Sequence, residues 1–96
     1  MPAYLIFNVD VHDPDGYARY ASDAPDAVAR FGGRILARAG RMEVLEGDWV
    51  PGRLVVIQFP TYDDARAWWD REPEGELRAV RQATSTAQIV LTDGLP

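Results

Sequence analysis

The stretch from Tyr4 to Val11, YLIFNVDV, alternates so regularly that it admits only one local structure. Leu5, Phe7, Val9 and Val11 fall on one side of an extended chain, and Tyr4, Ile6, Asn8 and Asp10 fall on the other. The first side is wholly apolar and needs a cover of helices. The second is mixed, but Ile6 among polar neighbours marks it as a face that water alone does not suit.

The rest of the chain supplies the cover. After the strand, Asp13 is a fitting helix N-cap with Pro14 at the first helical position. Tyr17, Tyr20, Ala21, Ala24, Ala27, Val28 and Phe31 then follow at helical spacing. Pro25 interrupts them, which predicts two helical pieces with a kink or break between them, ended by Gly32-Gly33. The run from Arg34 to Glu46, RILARAGRMEVLE, reads as a long second strand with Gly40 as a bulge or sharp bend. Arg53 to Phe59, RLVVIQF, reads as a third strand. Thr61 caps a further helix carrying Tyr62, Ala65, Trp68 and Trp69. The segment Glu72-Pro73-Glu74-Gly75 breaks it, and Leu77, Val80 and Arg81 mark a second piece reaching about Ala83. Thr86 to Thr92, TAQIVLT, is the fourth strand.

The order strand, helix, strand, strand, helix, strand in 96 residues describes one domain spanning residues 1–96. It predicts an α+β fold of the ferredoxin-like βαββαβ kind: a four-stranded antiparallel sheet in the order 4-1-3-2, with two helical segments on one face. Strand parity places Tyr4, Ile6, Asn8, Leu54, Val56, Gln58 and Val90 on the opposite face, which no remaining element covers. A second copy of the chain is therefore the expected partner, its sheet closing a barrel-like core. Arg34 and Arg38 fall near Asn8 and Gln58 on this face if the second strand keeps its register.

Composition removes several classes of chemistry. The chain has no cysteine, so neither disulfides nor thiolates are available. It has no lysine, so it forms no Schiff base. A net charge of −5 disfavours nucleic-acid binding. No run is long enough for a membrane span, and no secretory leader is visible, so a cytoplasmic protein is expected. His12 is the single histidine, and no metal-ligand spacing accompanies it. No metal and no cofactor are expected.

Two residues stand out as candidate catalytic groups. Arg34 follows the glycine pair directly and suits a carboxylate or enolate. His12 ends the first strand and is the only imidazole available as a base. Both have simpler structural readings, as an ion-paired arginine and a solvated loop histidine. Candidate ligand-binding residues are Asn8, Tyr17, Arg34, Gln58, Trp69 and Arg81. Trp68 and Trp69 cannot both point inward, since adjacent helical positions diverge by about 100°.

Several segments together resemble the DUF1330 family. They are Arg30-Phe31-Gly32-Gly33-Arg34, Glu46-Gly47-Asp48-Trp49, Val56-Ile57-Gln58-Phe59-Pro60-Thr61, Ala65-Arg66-Ala67-Trp68-Trp69 and Leu77-Arg78-Ala79-Val80-Arg81. The resemblance covers nearly the whole chain and implies a dimeric α/β-barrel without a settled function. Two departures stand out. Family members usually carry Glu at the position of Gln58, and a Ser-Pro-Glu-Tyr-like turn where Arg71-Glu72-Pro73-Glu74-Gly75 stands. An amide cannot replace a titrating base. The resemblance leaves two functions open. One is a small-molecule-binding protein or cofactor-independent enzyme of isomerase, cyclase or monooxygenase type, acting on a small organic acid or polyketide-like substrate. The other is a non-catalytic homodimer with a polar interior.

Overall fold

A computed structural model describes residues 1–71 and 76–96. Its elements are β1 (Ala3–Val11), α1 (Pro14–Ala29), β2 (Arg34–Arg38), β3 (Arg53–Phe59), α2 (Tyr62–Arg71), α3 (Leu77–Thr84) and β4 (Ser85–Asp93). The four strands form one antiparallel sheet in the order β2-β3-β1-β4. This is the expected ferredoxin-like arrangement, with three helices on one face. The expected break at Glu72-Pro73-Glu74-Gly75 lies outside the described residues.

Alternation along β1 does what the sequence requires. Ala3, Leu5, Phe7 and Val9 are buried, and so are their neighbours Val55, Ile57 and Phe59 on β3. The helices close this face with Tyr17, Tyr20, Ala24 and Val28 from α1 and with Ala65 and Trp68 from α2. Trp68 is the inward tryptophan, with Phe59 and Phe7 at ring distances of 5.8 and 6.4 Å. Gly33 lets β2 begin tight against this core. A Cβ there would stand 2.6 Å from Phe59 Cε1 and 2.7 Å from Val28 Cγ1. The helix starts are as read: Asp13 Oδ1 accepts from the Gly16 N–H, and Thr61 Oγ1 accepts from the Asp64 N–H.

Two expectations are corrected. The first helix does not break at Pro25 but runs unbroken from Pro14 to Ala29. Proline removes the N–H that would pair with the carbonyl four residues earlier, at Ala21. That carbonyl instead accepts from Arg38 Nη1 of β2, at 3.1 Å. The helix continues because a side chain from the sheet replaces the missing donor.

The second correction concerns β2, which stops at Arg38 and does not reach Glu46. Its irregularity lies at Leu36, between the pairs Ile35↔Ile57 and Ala37↔Val56, and not at Gly40. One extra residue flips the parity of everything after it. Arg34 therefore stays on the open face beside Gln58, whereas Arg38 turns to the helix face opposite Val55. Residues 39–52 then run as an exposed irregular connection.

Candidate functional site

The sheet separates the candidate residues into distinct places. On the open face, Arg34 Nε donates to Gln58 Oε1 at 3.2 Å. Gln58 Nε2 donates in turn to the Tyr4 hydroxyl at 3.4 Å. This polar row crosses three strands, because Tyr4 pairs with Gln58 and Gln58 pairs with Arg34. Asn8 shares the face but has a local task, since its Oδ1 accepts from the Gly52 N–H at 2.9 Å. It secures the start of β3. Around these groups Ile6, Leu54, Val56 and Val90 leave an apolar surface without a cover, Val90 being 60% exposed.

Tyr17 and Arg81 lie on the other side of the sheet, under the helices. Trp69 is half-buried on α2, and the Arg78 guanidinium stacks on its ring 3.7 Å from the centroid. Arg78 Nη2 also donates to the Trp69 carbonyl, so this pair fastens α3 to α2. His12 is exposed beyond the end of β1, and its backbone N–H donates to the Thr84 carbonyl.

The helix face holds the more unusual chemistry. A narrow crevice lies between α1 and the sheet, lined by Phe7, Tyr17, Tyr20, Ala21, Ala24, Ile35, Arg38, Arg53, Val55 and Ile57. Its room is about 20 Å³, enough for one water molecule. Tyr17 and Tyr20, one turn apart on α1, form its aromatic wall with ring centroids 5.4 Å apart. The Arg53 guanidinium stands 5.4 Å from the Tyr17 ring centre. The Arg81 guanidinium stands 5.9 Å from Tyr20 and 6.0 Å from Phe7. Arg81 is only 3% exposed. The Nε atoms of Arg53 and Arg81 are both shut off from solvent and have no acceptor among the described residues. Ion pairs among the described residues lie elsewhere, at Arg19–Glu76 and Arg66–Asp70.

Buried guanidinium groups without a counter-charge are costly, because desolvation is compensated only in part by ring faces. Among the described residues, no carboxylate lines the crevice. The described lining residues thus carry only positive charge, in a chain whose net charge is −5. A larger groove of about 470 Å³ runs outside it along the free edge of β2, walled by Pro25, Ala29 and residues 33–38. Ile35 and Arg38 line both spaces, so Arg38 stands between the outer groove and the inner crevice.

Arg53 was not singled out by its sequence position as the first residue of a strand. The signal was present nonetheless: it shares the parity of Val55, Ile57 and Phe59, which commits a charged side chain to the core side. Tyr4 was placed on the correct face, but its link to Gln58 needed the cross-strand register.

The DUF1330 family model, described as a domain of unknown function, matches residues 2–95. This chain belongs to the DUF1330 family. Among solved structures, it is similar to a protein of unknown function from Rhodopseudomonas palustris, at a TM-score of 0.77 and 17% identity, over 99% of this chain and 83% of that one. It is also similar to SnoaB, a cofactor-independent oxygenase from Streptomyces nogalater, at a TM-score of 0.64 and 15% identity, over 99% and 94% of the two chains. A de novo designed protein, Foldit4, shares the fold equally well, at a TM-score of 0.64 and 12% identity, over 99% and 100%. No curated protein matches the chain in sequence. That an oxygenase and a designed protein stand equally near this DUF1330 chain limits the likeness to the fold.

Proposed function

We propose that this chain binds a small organic acid in the crevice beneath α1, and that it does so as a homodimer. The carrying observation is the buried, acceptor-free Nε of Arg53 in the crevice lining, beside an aromatic wall with no carboxylate among the described residues; the acceptor-free Nε of Arg81 belongs to a guanidinium set against Tyr20 and Phe7 of the same wall. A carboxylate supplies the missing acceptor and counter-charge, while its apolar body replaces water against Tyr17, Tyr20 and Phe7. Entry is from the groove along β2. The crevice as it stands holds one water, so binding requires it to widen; Arg38, held at the boundary by its bond to the Ala21 carbonyl, is the side chain that must turn outward.

The homodimer reading rests on the open face and on surface area. The accessible surface of 6272 Å² exceeds the about 5500 Å² expected of a compact monomer of this 10.7 kDa mass. The excess is about 800 Å², the share that one partner contributes to a standard interface. The molecule is also a slab, 34 × 31 × 17 Å, with one side of its sheet bare.

SnoaB extends this reading to catalysis by analogy: a bound organic acid held beside a cation is a substrate whose negative charge is already stabilised. Binding has the firmer support in this chain, because the described crevice lining offers cations and phenols but neither an imidazole nor a carboxylate to take up a proton.

The test is calorimetric titration with cinnamate and with its neutral counterpart, cinnamyl alcohol. Cinnamate is expected to bind and the alcohol to bind at least about tenfold more weakly, with Arg53→Gln removing the difference. Equal affinity for acid and alcohol, or no binding of either, overturns the reading.

A further inference from the structure

The connection between β2 and β3 is an arm with nowhere to rest. It runs from Ala39 to Gly52, fourteen residues between the two strands. Its base is firm. Arg38 pairs with Val55, the Ala39 N–H donates to the Leu54 carbonyl at 2.9 Å, and the Gly52 N–H donates to Asn8 Oδ1. Beyond that base, every residue from Gly40 to Val50 is exposed. Among the described residues, five of the eleven large apolar side chains that stand exposed lie there: Met42, Val44, Leu45, Trp49 and Val50. Leu45 is 88% exposed. A loop that only joins two antiparallel strands needs about two to five residues, and water favours polar ones there. So much apolar surface on a long connection asks for a cover.

The open sheet face has the complementary want. Val56, Ile6 and Val90 stand in register across three strands and form an apolar stripe. Arg34 shares that face, with its Nε on Gln58 and no ion pair among the described residues. The arm brings an apolar run together with three acids, Glu43, Glu46 and Asp48, against one base, Arg41. It fits the face in both respects. It does not cover the face of its own chain, since its side chains stay in water there. Doubled back on itself the arm reaches about 20 Å, at about 3.3 Å per residue, and four strands about 4.8 Å apart make a sheet about 15 Å across. One arm thus reaches across one facing sheet. In a twofold pair each chain carries one arm and one bare face, so both wants are met at once. The surface excess of the single chain, about 800 Å², is the share one partner gives to such a seam.

We propose that residues 41–50 of each copy dock on the open sheet face of a second copy, so that the two chains exchange arms across the seam. Met42, Val44 and Leu45 of one chain cover the apolar stripe of the other, and the acids of the arm stand by the other chain's arginine at position 34. This rests on the homodimer reading and names the element that each copy gives to its partner.

The absence of cysteine makes the test clean, because each introduced thiol is then the only one in its chain. Leu45→Cys and Val90→Cys are made in separate chains, mixed, and joined with a short bismaleimide. In the control, Tyr62→Cys, exposed at the start of α2 on the helix side, takes the place of Val90→Cys. With one thiol per chain, any link between different positions joins two copies. Mass spectrometry of the joined peptides is expected to show position 45 linked to position 90 and far less to position 62. Leu45→Ser is expected to raise the dissociation constant at least about tenfold in sedimentation equilibrium. It should leave the folded single chain intact by circular dichroism, since the side chain it replaces lies in water there. A dimer in which position 45 links to position 62 as readily as to position 90, or one that Leu45→Ser leaves equally tight, overturns the arm exchange while the homodimer stands. A wild-type chain that is monomeric at micromolar concentration overturns both.

Discussion

The contact between Arg38 and the Ala21 carbonyl is worth removing in two backgrounds. In the natural sequence Pro25 leaves that carbonyl without its helical donor, and Arg38 Nη1 supplies one from β2 at 3.1 Å. A charged donor contributes about 1.5 kcal/mol net in such a bond. The contact is close to solvent, which lowers the expected cost of Arg38→Met to about 1 kcal/mol. Pro25→Ala restores the N–H at position 25, which then pairs with the same carbonyl, and removes a residue costing up to about 3 kcal/mol in a helix interior. In that background the Arg38 bond is redundant, and Arg38→Met should cost only a few tenths of a kcal/mol by the same reasoning. The double-mutant cycle therefore predicts a coupling energy of about 0.7 kcal/mol, measured by urea denaturation of the four proteins. An equal cost of Arg38→Met in both backgrounds would refute the claim that this side chain carries the helix past its proline.

Three further perturbations follow from the geometry. Val90→Ser removes apolar area from the open face at a site 60% exposed in the single chain, so folding should be unchanged. It should weaken a twofold seam by about 2 kcal/mol over the two copies, or about 30-fold in dissociation constant by sedimentation equilibrium; a wild-type chain that stays monomeric at micromolar concentration removes the basis of the homodimer reading. Gly33→Ala drives a methyl group against Phe59 and Val28 and should cost about 1–3 kcal/mol in denaturant titrations. Asn8→Ala leaves the Gly52 N–H without its acceptor and should cost about 1 kcal/mol; amide exchange at Gly52 should accelerate, and unchanged exchange there would show that the bond is not made in solution.

What the sequence made legible was periodic. The two faces of β1, the parity of β3 and the caps at Asp13 and Thr61 follow from rules that act over a few residues. The failures share a cause. Pro25 and the length of β2 were judged from local preference, but both depend on partners distant in sequence: an arginine from the sheet for the helix, and pairing with β3 for the strand. Met42, Val44 and Leu45 have a strand-like composition yet gain no ladder in the chain, so they stay exposed. The bulge at Leu36 matters most for function. It moved Arg38 from the open face to the helix side, so the expected cluster of Asn8, Gln58, Arg34 and Arg38 was divided between two faces. Arg81 was named, but that its buried Nε lacks an acceptor among the described residues is a fact of packing that no periodicity reveals.

The place of β4 has a consequence for how the molecule is made. β1 lies inside the sheet, paired with β3 on one edge and with β4 on the other along its whole length, from Ala3↔Asp93 to Val11↔Ser85. Within this domain the strand made earliest thus waits for the one made latest before its second edge is hydrogen-bonded. Until then a strand with Leu5, Phe7 and Val9 on one side and Ile6 on the other presents an open ladder to any neighbouring chain. Folding of this domain is gated by completion of its final strand. Slow translation of that segment should favour association between nascent copies.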